Sequence, residues 1–450
     1  MKKQWSSRLG FLLVSIGTAV GLGNLWRFPF ITGENGGGAF VLIYIAFVVL
    51  IGVPIIIGEV ALGRMGGGSA VTTTRRLRHA NRAGPQWQII GALSLAVPFI
   101  GLSYYAVVAG WSFQYMFGAV SQAFQGFDQS SSADYLSRLQ NNSSLAILFH
   151  AIFIGATIIV VGFGLQKGVE RAARFMMPGL FLILLILLIY VIFAADFAAG
   201  FHFLFNPDFS KLTPTAILLA LGQAFFSIAV GVGAFITYGA YLPKSVSIPK
   251  SAAIIVAIDT LVAIMAGLVI FSIVFAEGLD AAGGPGLIFV ILPVAFGGMA
   301  GGAVAGGLFF LMLFFAAFTS AIGMLEPVVS YLEEKFSTTR FRVALFGGLA
   351  IWAVGLGPAL SFGVWSDLKP LDFGPFAGKG IFEIYDFLIA NILLPVNALF
   401  ISLFAGWVIK TEIMQQELQF TNGKLYPAWR SLIRYVVPLA ILLVLVNGLA

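Results

Sequence analysis

The chain has 450 residues, of which 59% are hydrophobic and only 10% charged, with a net charge of +6 and a mean hydropathy of +0.98. A soluble domain carries about 25% charged residues, so the composition excludes one and predicts an integral membrane protein with many helical spans. With no cysteine there is no disulfide, thiolate metal site or cysteine nucleophile, and His79, His150 and His202 are too scattered for a metal-ligand spacing.

Taken in order, the hydropathy predicts eleven spans at about 9–33, 38–63, 86–120, 145–164, 170–194, 214–241, 250–276, 302–334, 341–360, 382–408 and 430–449, each near the roughly 20 residues a bilayer core requires. The first apolar run follows Lys2, Lys3 and Arg8 but continues as a full span without a cleavage site, so no removable leader is expected. Inside it, Gly17, Gly21 and Gly23 fall close together, followed by Asn24 and Arg27. Glycine costs about 1 kcal/mol relative to alanine in a helix interior. Clustered glycines let the backbone leave helical geometry, and the freed carbonyls and N–H groups then need polar partners in hydrocarbon. A tightly packed glycine seam is the other reading of such a cluster.

The sixth span repeats the pattern. Gly231 and Gly233 follow Phe226 and Ser227. Spans one and six each open a block of five, and interrupted spans in matching positions point to an inverted repeat with a midplane site between the halves. The expected fold is all-α: eleven transmembrane helices in a five-plus-five inverted repeat with discontinuous helices 1 and 6. The repeats fall at about 1–200 and 201–409, with one further helix in 410–450. The stretch 283–302, apolar but rich in Gly and Pro, is expected to be a re-entrant or surface-lying loop. With the N-terminus inside, all but Arg27, Arg138, Lys211, Lys369 and Lys379 of the 25 Lys and Arg residues fall on the inner side. This predicts a cytoplasmic N-terminus and, with an odd number of spans, an extracellular C-terminus.

Four stretches, GLGNLWRFP (21–29), ENGGGAF (34–40), GVPIIIGEVALGR (52–64) and FFAAFTSAIGMLEP (314–327), resemble the neurotransmitter:sodium symporter family over nearly the whole chain, most of all its bacterial amino-acid transporters. Members with twelve spans are common, so the absence of a last span is a departure. The resemblance implies sodium-coupled symport of hydrophobic L-amino acids such as Leu and Trp by alternating access across a bacterial plasma membrane. It implies no enzyme activity and no cofactor beyond two coupling Na⁺ ions.

For the first Na⁺ the resemblance implies Ala19, Asn24, Ser227 and Asp259, completed by the substrate carboxylate. For the second it implies Gly17, Val20, Ala316, Thr319 and Ser320. A Thr-Ser pair in a membrane helix also back-bonds to preceding carbonyls. Asp259 lies among apolar residues and needs a partner or a proton. Relatives usually carry Asn there, and chloride-dependent ones a Ser where this chain has Ala263. An Asp can itself supply the negative charge, so chloride-independent transport is expected. The implied substrate site comprises Ala19, Val20, Leu22, Gly23, Tyr105, Phe226, Ser227, Ala229, Val232 and Met324. A related leucine carrier has a bulkier aromatic at the position of Val232, so room for an aromatic side chain is expected here.

Arg27 and Asp386 form the implied outer gate, with Phe226 and Tyr105 as an aromatic lid. Lys2, Trp5, Tyr241 and Glu334 form the implied inner gate. Glu59 is expected to satisfy N–H groups of the sixth-span break. Gly168 and Pro178 resemble the family's signature for unwinding the inner end of span five. A proton-coupled transporter of the same fold, with Asp259 carrying the proton, and an ion channel are the alternative readings. No HExxH or GxSxG motif suggests a hydrolase.

Overall fold

The structure is a computed structural model that describes residues 4–420 and 423–449. All regular elements among the described residues are helical. Among the described residues nine helices are long and apolar enough to cross a bilayer: Gly38–Gly66, Pro85–Val120, Ser143–Gly162, Leu165–Ala194, Ile248–Ala276, Gly302–Phe336, Arg340–Leu360, Ile381–Val408 and Leu425–Gly448. They occupy the expected positions of spans two to five and seven to eleven.

Spans one and six depart from straight rods. Span one is two helices, Arg8–Ala19 and Gly23–Glu34, meeting at 49°. The place of span six is held by Pro214–Ser227 and Ala234–Ala240, neither long enough to cross alone, on either side of 228–233. The backbone of that break turns left-handed at Ala229 (φ 51°), Gly231 (φ 81°) and Gly233 (φ 83°). Glycine adopts this geometry without the Cβ clash that Ala229 has to bear.

The stretch expected as a loop, 283–302, holds two short helical pieces, Gly284–Leu287 and Ile291–Gly298. Ala70–Ala80, Gln129–Asn141, Phe197–Phe205 and Thr411–Leu418 are additional helices between spans. Ser69 caps the first of these by accepting from Thr72 N–H, and Asp128 and Ser131 close a reciprocal cap on the second.

Spans two and six lie backbone to backbone. A Cβ on Gly63 would stand 1.9 Å from the Ile236 carbonyl oxygen, and one on Gly239 would stand 2.3 Å from that of Val60. Small residues permit this approach between membrane helices.

Candidate functional site

The first break is set by where its N–H groups go. Val20 N–H still bonds Ile16 O, but Gly21 N–H turns to Asn24 Oδ1 at 3.1 Å and Leu22 N–H to the Tyr105 hydroxyl at 3.3 Å. The carbonyls of Gly17 and Thr18 thereby lose the donors a continuous helix would give them. Ser320 Oγ, reaching across from span eight, lies 3.3 Å from Gly17 O, 3.3 Å from Thr18 O and 3.2 Å from Val20 O. Thr319 Oγ1 instead back-bonds to Phe315 O at 3.0 Å and Ala316 O at 3.1 Å. Ser320 thus meets the Gly17 and Val20 carbonyls, while Thr319, next to it in the helix, meets that of Ala316. Oxygen donors of this kind suit a hard cation. Gly17 and Gly21 ease the approach, since a Cβ would stand 3.0 Å from Thr319 Cβ and 2.6 Å from Ser320 Oγ respectively.

A second polar cluster lies between the two breaks. Asn24 Nδ2 donates to Ser227 Oγ at 3.0 Å, to Asp259 Oδ1 at 2.9 Å and to the Asp259 carbonyl at 3.1 Å. Ser227 Oγ donates to Asp259 Oδ2 at 2.8 Å and lies 2.8 Å from the Tyr44 hydroxyl. Asp259 is fully buried. Both its side-chain oxygens accept hydrogen bonds, one from Asn24 and one from Ser227. Ala19, last residue of the first helix, lines the adjoining cavity. Among the described residues no group of three His, Asp or Glu side chains converges on a metal position. Any cation here is therefore met by carbonyls, hydroxyls, an amide and the single carboxylate.

Between the breaks lies a cavity of about 70 Å³. Of the residues expected to contact substrate, Ala19, Leu22, Gly23, Tyr105, Phe226, Ala229, Val232 and Met324 line it. Val20 and Ser227 do not. Val20 is fully buried with its carbonyl toward Ser320, and Ser227 is occupied by Asp259. Sequence reasoning missed Val97, Pro98 and Gly101 from span three, Tyr104 beside Tyr105, and Ile389 and Leu394 from span ten. Gly101 and Pro98, small or rigid residues one helical turn apart on the span that carries Tyr105, were the available signal. Glu59 Oε1 accepts from Gly231 N–H at 2.7 Å, and Asn397 Nδ2 donates to Gly231 O at 2.6 Å. Gly231 is therefore held through both its N–H and its carbonyl, by spans two and ten. Asn397 was not anticipated.

The outer pair does not form as expected. Arg27 and Asp386 act on each other electrostatically, but no ion pair joins them among the described residues. The guanidinium lies instead over the Phe226 ring, 4.4 Å from its centroid, where cation–π attraction replaces the carboxylate.

At the expected inner gate, Trp5 is buried, with its indole N–H on Tyr238 O at 3.0 Å and its backbone N–H on Tyr241 O at 3.3 Å. Lys2 lies outside the described residues. Glu334 is not joined to Tyr241. It accepts from Ser69 N–H at 2.7 Å and from the hydroxyls of Ser69 and Thr72, each at 2.6 Å. A helix N-terminus with its unpaired N–H groups competes well for a carboxylate. The Tyr241 hydroxyl bonds Glu326 at 3.2 Å and Ser330 at 3.0 Å. Glu326, fully buried, pairs with Arg340, which also reaches Glu333 at 3.3 Å and the Val161 carbonyl at 2.9 Å. Gly168 and Pro178 lie in a continuous helix in this structure, Leu165–Ala194, whose first turns are widened over Leu165–Glu170.

The family model for the sodium:neurotransmitter symporters matches residues 2–132 and 137–450. The chain belongs to the sodium:neurotransmitter symporter family. Within it, the chain is 37% identical to the uncharacterized sodium-dependent transporter YhdH of Bacillus subtilis, over 99% of this chain and 97% of that one. It is 30% identical to an uncharacterized sodium-dependent transporter of Haemophilus influenzae, over 100% and 98%. The crystal structure of MhsT in complex with L-phenylalanine superposes with a TM-score of 0.89 at 38% identity, covering all of both chains. As a symporter of this family the chain is a multi-pass, sodium-dependent membrane transporter and not an enzyme, as its sequence predicts.

Proposed function

We propose that this symporter imports hydrophobic L-amino acids, Leu, Phe and Trp among them, with two Na⁺ ions and without chloride. The observation that carries this reading is the cavity where the two breaks meet. One end presents Leu22 N–H and the Tyr105 hydroxyl beside the Asn24–Ser227–Asp259 cluster, and the other is walled by Val97, Gly101, Val232 and Met324. The polar end suits a carboxylate and an ammonium. The apolar end offers no charge to a side chain, and the small residues Gly101 and Val232 in its wall support the reading that it takes a bulky one. MhsT, of the same fold, was crystallised with L-phenylalanine.

In this reading Ala19, Asn24, Ser227, Asp259 and the substrate carboxylate hold the first ion, and Gly17, Val20, Ala316, Thr319 and Ser320 hold the second. The Asp259 charge makes chloride unnecessary. Each ion and the substrate share ligands, so each raises the affinity of the other, by about 1–3 kcal/mol in typical coupled sites. The bundle of spans one, two, six and seven, drawn from both repeats, 1–200 and 201–409, rocks about the site, with the N-terminus in the cytoplasm and the C-terminus outside. Unwinding of span five around Gly168 and Pro178 then lets the second ion leave inward.

Binding of labelled Leu and Trp to the purified protein, with and without Na⁺ and in chloride-free buffer, tests the proposal. Saturable binding that requires Na⁺ and ignores chloride is expected. Binding that follows pH and ignores Na⁺ would establish proton coupling through Asp259 instead.

A further inference from the structure

A second, larger cavity of about 890 Å³ lies between spans three, eight and nine, away from the transport site. Its wall is almost wholly apolar. Ala96 and Phe99 form one side, Leu332 and Phe336 the second, Phe346 and Ala350 the third. Phe336 and Phe346 are 59% and 68% exposed, so the groove opens sideways to whatever surrounds the helices. It ends at the turn 337–339 that joins spans eight and nine.

That end is basic. The Lys335 ammonium lies 5.7 Å from the Tyr331 ring and 5.4 Å from the Phe336 ring, both of which line the groove. Arg342 is exposed beside Val343, another lining residue. The acids nearby are engaged elsewhere: Glu326 and Glu333 by Arg340, and Glu334 by Ser69 and Thr72. Neither Lys335 nor Arg342 has an ion-pair partner among the described residues. An apolar slot with two uncompensated cations at one end has the shape and charge of an amphiphile with an anionic head. A helix of another copy would fill the slot but leave the cations unmet, and a sterol would bring them no charge.

We propose that this groove holds an acyl chain of an anionic phospholipid, with Lys335 and Arg342 on its phosphate head. Basic pockets between spans at the cytoplasmic face of a membrane protein are suited to such heads, and the Lys335 stem can lie along the apolar wall while its ammonium reaches the interface. A lipid seated there would tie span three, which carries Tyr105, to span eight, which carries Ser320. The proposal requires only that the chain sit in a bilayer, and is independent of which amino acid it carries.

The test is native mass spectrometry of the full-length protein in detergent, titrated with phosphatidylglycerol or phosphatidylcholine. One tightly retained phosphatidylglycerol per chain is expected, in preference to phosphatidylcholine. Lys335→Gln and Arg342→Gln should each reduce that preference about fivefold, the gain a basic residue brings near an anionic surface. Ala350→Trp should fill the slot and expel the lipid. Thermal melting of each variant checks that it is folded, and Na⁺-dependent amino-acid binding, tested separately, is expected to persist. Equal retention of both lipids by the unaltered chain would overturn the proposal. So would an undiminished preference in the folded double Gln variant, or a dimer that Ala350→Trp dissolves.

Discussion

Asp259 and Asn24 hold each other, carboxylate to amide, at 2.9 Å. Asn24 turns its Nδ2 to Asp259 and Ser227 while its Oδ1 is taken by Gly21 N–H. A cation entering this cluster needs oxygens, so it has to draw the Asp259 oxygens away from the amide. Replacing the carboxylate should therefore weaken ion binding more than it weakens folding. For Asp259→Asn, the Na⁺ concentration giving half-maximal Leu uptake should rise at least about tenfold, since hydrogen bonds to a charged group are worth about 1.5–3 kcal/mol. An unchanged Na⁺ dependence in the folded variant would remove Asp259 from the ion site.

Glu59 serves the second break through one N–H. Glu59→Leu leaves Gly231 N–H buried without an acceptor, a loss of about 1–3 kcal/mol, and should lower the melting temperature of the purified protein. Glu59→Gln keeps a carbonyl acceptor and should lower it less. Equal losses in the two variants would mean that the charge, and not the hydrogen bond, is what matters.

The tail end of the cavity depends on small side chains. Val232→Phe should weaken Trp binding on the order of tenfold more than Leu binding, because pocket volume discriminates at about 1–3 kcal/mol per methylene-sized change. Competition binding against labelled Leu measures the ratio. A uniform loss for both amino acids would place Val232 outside the tail subsite.

Arg340 neutralises Glu326 under the inner closure. Arg340→Ala strands a buried carboxylate, a loss of about 3–5 kcal/mol when one partner of a buried pair is removed. The inner side should open, and adding Glu326→Gln should restore part of the closure. Because the chain has no cysteine of its own, the labelling rate of Cys introduced at Thr237 reports this without background. The rate should rise in Arg340→Ala and fall again in the double variant.

The spans were legible because hydrophobic runs of this length have little other use. Span one revealed its break because Gly17, Gly21, Gly23 and Asn24 fall close together within 17–24. The partners of the breaks were harder. Asn397 is 166 residues from the Gly231 carbonyl it holds, and Asn in an apolar run does not announce whom it meets. Ser69 drew Glu334 away from Tyr241 because Ala70–Ala80 is a helix whose polar sequence hid its capped start. The resemblance implied Arg27 on Asp386, but its guanidinium lies over the ring of Phe226, a contact that sequence alone does not announce. Ser320 and Thr319 are neighbours in sequence, yet only the fold shows one reaching across to span one while the other turns back on its own helix.

The facing glycines of spans two and six have a mechanical meaning. With Gly63 against the Ile236 carbonyl and Gly239 against that of Val60, no slack remains for the inner half of span six to hinge on its own. It is yoked to its neighbour, and whatever swings at the inner doorway has to swing both as one lever, with the loosened main chain around Gly231 as its fulcrum.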